Sequence, residues 1–380
     1  MSGPAFARQE AMLAGLRRKA RLRMLLPRQG ADFASNDYLG LAEAPRLKAA
    51  VAAAMERGVP VGAGGSRLLR GNHAEHEALE AEAASFFGTG KALYFGSGYA
   101  ANVALFSTLP QRGDLVVHDA LIHASAHEGI AAGKADAIAV RHNDADAFDD
   151  AICNWRRAGG RGRPWIAVES LYSMDGDRAP LAALAKIAGR HDGVLVVDEA
   201  HATGILGPGG RGLAAGLAGC ANLLTLHTCG KALGLSGALV GLPAVLADYL
   251  VNRARNFIYS TAPSPLVAAG VREALRMLAD EPERRARLAD LTDLAGVCLR
   301  ARLGRDASGS QILPVGIGDN ARALAIAARM REEGFDIRAI RPPTVPEGTA
   351  RLRISITLNV DEGQIADMFE RLAVAMAQER

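Results

Sequence analysis

One lysine, Lys231, stands in an apolar, glycine-rich run, "TLHTCGKALGLSG" (residues 225–237), just past a segment that reads as a buried strand. Burying an ammonium is costly unless it is paired or loses its proton, and the ordinary fate of such a side chain is to snorkel to water. Lysine is scarce here: Lys19, Lys48, Lys91, Lys134, Lys186 and Lys231 are the whole set. Upstream, "GVLVVDEAH" places Asp198 at the end of an apolar run, with His201 three residues on. A buried Asp198 needs a cationic or protonated partner. The letters DEAH also spell a helicase box, but that chemistry needs a phosphate loop GxxxxGK[ST] upstream. The nearest stretch, "SFFGTGKA", has Ser85 where the first glycine belongs and Ala92 after the lysine, which excludes it.

Three further stretches carry usable groups. "LYFGSGYAAN" sets Gly96 and Gly98 between a strand and a helix, with Ala101 and Asp119 mimicking a dinucleotide fingerprint. Read physically, it is a helix N-terminus whose open N–H groups near Gly98 and Tyr99 suit a phosphate; read blandly, it is a tight βα turn. "HDALIHASAHEG" offers His118, His123 and His127. Their spacing does not call for a metal; a flat imidazole against a ring, or a satisfied core histidine, are the other readings. "SLYSMDGDRAPL" reads as a turn ahead of a helix. In chain order these pieces suit pyridoxal phosphate, which asks for a phosphate cradle, a flat partner, a carboxylate at its ring nitrogen and a lysine for its aldehyde.

The elements that must position these groups follow from periodicity. Residues 90–245 alternate short apolar runs with helical patterns: "KALYFGSG", "GDLVVHD", "AIAVRH", "PWIAVES", "GVLVVDEAH", "NLLTLHT" and "GALVGLP" are the expected strands. Most are continuous rather than alternating, the mark of strands buried on both faces of a mostly parallel sheet covered by helices. Helices are expected near 101–109 and 182–190. Beyond Tyr259, two helical stretches over 265–303 precede "QILPVGIG", "FDIRAI" and "TARLRISIT". These predict a smaller α+β domain with an antiparallel sheet, its last strand wet on one face, closed by a helix over 361–377. The expected division is an N-terminal helix and substrate-site segment (1–45), a large domain (46–275) and a small one (276–380).

The bulk numbers suit a globular protein with a large core, one large domain plus a smaller one, and exclude some classes. The chain has 380 residues, 49% hydrophobic and 22% charged, with a formal net charge of +3. No basic stripe points to nucleic acid, and no apolar run reaches spanning length. Cys153, Cys220, Cys229 and Cys298 lack metal-ligand spacing and suit reduced thiols in a cytoplasmic protein. The arginine-rich "LRRKARLRM" reads as an N-terminal amphipathic helix rather than a presequence.

Taken together, "DFASNDYLGL", "GAGGSRLLRGNHAEHEALE", "GSGYAAN", "SMDGDRAPL", "VDEAHATGILGPGGRGL", "HTCGKALGLSGA", "NFIYSTA" and "IRPPTVPEGTARLRISIT" resemble, in order, the α-oxoamine synthases of the fold-type I pyridoxal phosphate enzymes. The resemblance implies a decarboxylative condensation of an amino acid with an acyl thioester. The ending "IRPPTVPEGTARLR" favours the biotin-pathway branch, which takes L-alanine and pimeloyl-CoA or pimeloyl-ACP. Glycine acetyltransferases, aminolevulinate- or sphingoid-type synthases, an aminotransferase, and a non-catalytic subunit are the other readings.

The same resemblance implies roles. Lys231 is the Schiff-base lysine and acid/base, Asp198 pairs with the ring nitrogen, His201 bonds the ring hydroxyl and His123 stacks on the ring. Gly98, Tyr99 and Thr228 serve the phosphate, and Ser173 lines the pocket. Asn36 and Arg353 address the amino acid, Thr344 the acyl side, and either Arg21 or Arg23 the substrate. About ten residues, a strand pair, that family members carry between the equivalents of Gln29-Gly30 and "DFASNDYLGL" are missing here. A homodimer with its sites at the subunit interface is expected, "GAGGSRLLRGNH" lining the facing site.

Overall fold

The computed structural model describes residues 5–379. It contains two compact units: Leu39–Ser173 with Asp177–Arg285, and the described parts of Met1–Tyr38 and Ala286–Arg380 with Met174–Gly176.

In the larger unit, seven strands form one sheet: β1 (Lys91–Phe95), β2 (Leu115–Asp119), β3 (Asp136–Val140), β4 (Pro164–Glu169), β5 (Val194–Asp198), β6 (Leu223–Thr228) and β7 (Ala238–Leu242). Their order is β1-β7-β6-β5-β4-β2-β3. Only β7 runs against its neighbours. The continuous apolar runs are buried throughout in β2, β4, β5, β6 and β7, as expected for strands covered on both faces. Edge strand β3 departs from this, since all but Val140 of "DAIAV" is exposed.

Two separate clusters fill the two faces. One gathers Leu105, Phe106, Val116, Ala167, Val196 and Val240; the other gathers Val117, Ile152, Ile166, Leu184, Leu195 and Val197. Successive strand residues alternate between them, which the period of two dictates. Each fully buried aliphatic side chain there contributes roughly 1.5–3 kcal/mol of transfer free energy. Local signals set the helices. Ser97 caps Gly98–Thr108 by accepting from the Ala100 N–H at 3.1 Å, and Asp144 caps Ala145–Arg157 by accepting from the Ala147 N–H at 3.0 Å.

The smaller unit holds the antiparallel sheet β9-β10-β8, made of β8 (Ile312–Gly318), β9 (Arg338–Ile340) and β10 (Ala350–Ser355). The segment "FDIRAI" is not one strand. Phe335–Asp336 pairs in parallel with Ala31–Asp32, and only residues 338–340 join β10. The alternation of "TARLRISIT" does not give a wet face either: Arg353 is 6% exposed, because Asn36 and Tyr38 pack onto it. The last helix spans Glu362–Gln378, capped by Asp361, and Ala7–Arg18 forms a helix with no buried residue. Among the described residues, no helix is long and apolar enough to cross a membrane.

The glycines after Lys231 serve the protein's own backbone. Gly234 has φ +69°, and a Cβ there would lie 2.4 Å from the Ala42 nitrogen; Gly237, at φ +99°, would strike the Tyr94 ring. Gly230 meets nothing closer than 3.6 Å. Gly234→Ala is therefore expected to destabilise the fold by at least ~1–3 kcal/mol, whereas Gly230→Ala leaves the urea midpoint near wild type. Equal midpoints for the two variants would overturn this account of the turn.

Candidate active site

The catalytic candidates of the larger unit collect at the carboxyl ends of the strands, where parallel sheets bind ligands. Asp198 ends β5 and is 8% exposed. Its Oδ2 accepts from Asn102 Nδ2 at 2.8 Å and its Oδ1 from the Ala200 N–H at 2.9 Å. Asn102 donates also to Ser125 Oγ at 2.9 Å. Ser125 in turn lies 2.7 Å from His123 Nδ1, and His123 is the N-cap of the helix Ala124–Ala132. A hydrogen-bonded line thus runs from Asp198 through Asn102 and Ser125 to His123. Burial and the Lys231 charge hold His123 below its usual value, and the Asp198 charge only partly offsets them. The ring is therefore set up as a neutral, flat surface.

Lys231 and His201 meet, with Nζ 2.7 Å from Nε2. Thr228 ends β6, and a Cβ built on Gly98 would sit 3.6 Å from its Oγ1, so the helix N-terminus and this hydroxyl are neighbours. A Cβ on Gly96 would meet nothing within 4 Å among the described residues, so the turn entering that helix borders open space. Tyr99 is exposed and its hydroxyl donates to Glu128. Ser173 is buried, its N–H donating to Glu169 Oε2 at 3.0 Å.

Two buried carboxyls stand beside this set. Glu169 pairs in register with Asp198, and its Oε1 has no hydrogen-bond partner among the described residues. Burial, then the Asp198 charge, pushes its carboxyl up to about 8, against the pull of Lys231. Glu199 is pushed up to about 7 by burial, although Ser170 Oγ donates to it at 2.6 Å and the Leu213 and Ala214 N–H groups also donate. It ties the loop after β5 to the segment 213–214.

In the smaller unit, the Arg353 guanidinium donates to Ser355 Oγ (2.7 Å), Asn36 Oδ1 (3.0 Å) and the Tyr38 hydroxyl (3.2 Å). Arg23, not Arg21, reaches Thr344, donating to its Oγ1 at 2.9 Å; Arg21 pairs with Glu347. Both arginines and Thr344 line a groove of about 750 Å³, together with Arg331, Arg338 and Arg341.

The residues present fit pyridoxal phosphate. The larger unit supplies a buried, twice-bonded carboxylate, a lysine, a neutral imidazole, and a glycine-opened helix N-terminus beside a threonine hydroxyl. Sequence reading missed Asn102, Ser125 and Glu169. Asn102 ends the quoted "GSGYAAN", yet nothing in that spacing tells that its amide reaches a strand 96 residues away.

It missed a clamp as well. His142 lies between Asp119 Oδ1 (Nδ1, 2.9 Å) and Asp177 Oδ2 (Nε2, 2.7 Å), joining the end of β2 to the loop that carries Ser173. Burial opposes the charged ring, but the hydrogen bonds it donates to the two carboxylates outweigh this and raise His142 to about 10.

Three comparisons bear on this arrangement. The model of the family "aminotransferase class I and II" matches residues 28–372. An 8-amino-7-oxononanoate synthase of Anaeromyxobacter dehalogenans is 43% identical over 355 residues, covering 91% of this chain and 86% of its own. Among solved structures, a serine palmitoyltransferase from S. paucimobilis with a bound PLP–myriocin aldimine superposes with a TM-score of 0.88 at 28% identity, covering 98% of both chains. An 8-amino-7-oxononanoate synthase from Francisella tularensis gives 0.77 at 29%, covering 92% and 98%.

The raised value of His142 fixes the sign of its pH dependence. Its ordinary value is 6.5, so the clamp's contribution is complete below that, declines as pH rises, and is gone above about 10. The urea-midpoint difference between wild type and His142→Gln is expected to be largest near pH 6 and to shrink towards pH ~10. A difference that widens with pH would count against the clamp.

Proposed function

This chain belongs to the class I and II aminotransferase family and, within it, to the 8-amino-7-oxononanoate synthases, and from that premise we propose the reaction it carries out. It is a pyridoxal phosphate-dependent acyltransferase of biotin biosynthesis. It condenses L-alanine with a pimeloyl thioester to 8-amino-7-oxononanoate, releasing carbon dioxide and the free thiol carrier. The observation that carries this reading is the convergence of Lys231, His201 and the Asn102-held Asp198 at the ends of β5 and β6.

When bound, the cofactor supplies an electron sink for negative charge at the amino acid's α-carbon. Asp198 would hold the ring nitrogen, buried and fixed by Asn102 and the Ala200 N–H, so that its charge is not spent on water. Thr228, with the N–H groups near Gly98 and Tyr99, would hold the phosphate. His123 would lie on the ring face, and Ser173 would line the pocket. His201 would address the ring hydroxyl, and its contact with Lys231 keeps the two groups at one place.

Lys231 would hold the cofactor through its aldehyde, and its amine would take the alanine α-proton and return one once carbon dioxide has left. Between those proton movements, the site would have to hold the thioester carbonyl against the α-carbon and let the thiolate leave. Asn36 and Arg353 are assigned to the alanine carboxylate, in a setting where Arg353 is already bonded to neutral oxygens. Thr344, with Arg21 or Arg23, is assigned to the acyl side. The chain is further read as a homodimer with sites at the subunit interface, working in the cytoplasm, where its four free thiols persist.

Borohydride reduction of the yellow holoenzyme followed by peptide mapping is expected to label Lys231 alone. Lys231→Ala should lower thiol release by ~10²–10⁴-fold or more. Pairing each amino acid with each acyl thioester tests the substrates. A preference for glycine with acetyl-CoA, or for serine with a long-chain acyl-CoA, would overturn the biotin-pathway reading.

A further inference from the structure

Outside the set around Lys231, one cluster of ligand-type side chains stands out in the larger unit. Asp149 and Cys153 are four residues apart on the helix Ala145–Arg157, which puts them on one face one turn apart. His191 is the residue that ends the neighbouring helix, Leu181–Arg190. The donor atoms of Asp149, Cys153 and His191 all lie within 4.8 Å of one another. We propose that these three residues form a divalent transition-metal site, with zinc as the ion it suits.

The geometry separates this from a catalytic relay. A relay passes through both ring nitrogens of a histidine. Here a single nitrogen, His191 Nε2, faces Asp149 Oδ1 at 2.7 Å and Cys153 Sγ at 4.0 Å. That nitrogen carries at most one hydrogen, so it serves the carboxylate and the sulfur poorly at the same time. A cation between the three serves all of them.

Tetrahedral zinc with ordinary bond lengths sets neighbouring nitrogen, oxygen and sulfur ligands about 3.4–3.6 Å apart. The two separations from His191 bracket that value and the third is at most 4.8 Å, so side-chain shifts of about 1 Å would complete the site. A thiolate, an imidazole and one carboxylate form a donor set that selects zinc over magnesium or calcium.

Asp149 is also oriented from outside. Its other oxygen, Oδ2, accepts from Arg190 at 2.6 Å, which leaves Oδ1 turned to His191, as second-shell partners orient metal-bound carboxylates. All three residues are partly exposed, so an ion can reach them from solvent. On binding, zinc displaces the Cys153 thiol proton and any proton on Nε2 to solvent. The site fastens one covering helix of the sheet to the end of the next.

The test is zinc itself on the holoenzyme. After chelator treatment and dialysis against zinc, wild type is expected to retain one ion per chain by elemental analysis. Cys153→Ala and His191→Ala should each lose at least ~10–100-fold in affinity against a chromophoric chelator, with thiol release unchanged in Cys153→Ala. Independently of any variant, zinc should slow maleimide labelling of Cys153 in the wild-type protein, followed by mass spectrometry. Zinc retention equal in wild type and Cys153→Ala, or a Cys153 labelling rate indifferent to zinc, would overturn the site.

Discussion

The larger unit is organised around one demand: a carboxylate, Asp198, that must be satisfied at the end of a buried strand. A charge there is tolerated only with full hydrogen bonding and a cation nearby. Asn102 comes from the helix after β1, the Ala200 N–H from the turn after β5, and Lys231 follows β6. The order β7-β6-β5-β4 brings these strand ends side by side, so satisfying Asp198 and assembling the site are one requirement. The apolar clusters on both faces make the sheet rigid enough to hold donors within hydrogen-bond distance.

Around that charge, the neighbouring titratable groups are pushed in different directions by position alone. Glu169, on the adjacent strand, is raised because a second carboxylate beside Asp198 is disfavoured in a dry site. His123 is held down by burial and by Lys231, so the ring available to a cofactor is uncharged. His142 goes the opposite way, because two carboxylates clasp it. One residue type thus performs two tasks, a neutral surface and a charged clamp, and the difference lies wholly in its neighbours.

The smaller unit shows the same economy with arginine. Arg353 sits in a strand whose alternating pattern puts it on the polar face, yet Asn36, Tyr38 and Ser355 enclose it. These three oxygens fix the planar guanidinium in one orientation within the unit. The groove of Arg21, Arg23 and Thr344 is built from the segment before Gln29 and the segments 324–344 of the same unit.

How much was legible beforehand follows from what each feature depends on. The seven strands of the large sheet, Lys231 after β6 and Asp198 at the end of β5 could be read directly, because apolar runs and their ends are local properties of sequence. The single strand expected from "FDIRAI" and the wet face expected of "TARLRISIT" failed, because pairing partners and covering segments come from distant parts of the chain. Asn102 on Asp198, Glu169 beside it, His142 between two aspartates and His191 against Asp149 and Cys153 were illegible for the same reason. The sequence by itself determined which elements form and which side chains could react. Only the tertiary structure decided which of them meet, since sheet order and register, rather than spacing along the chain, set distances between residues far apart in sequence.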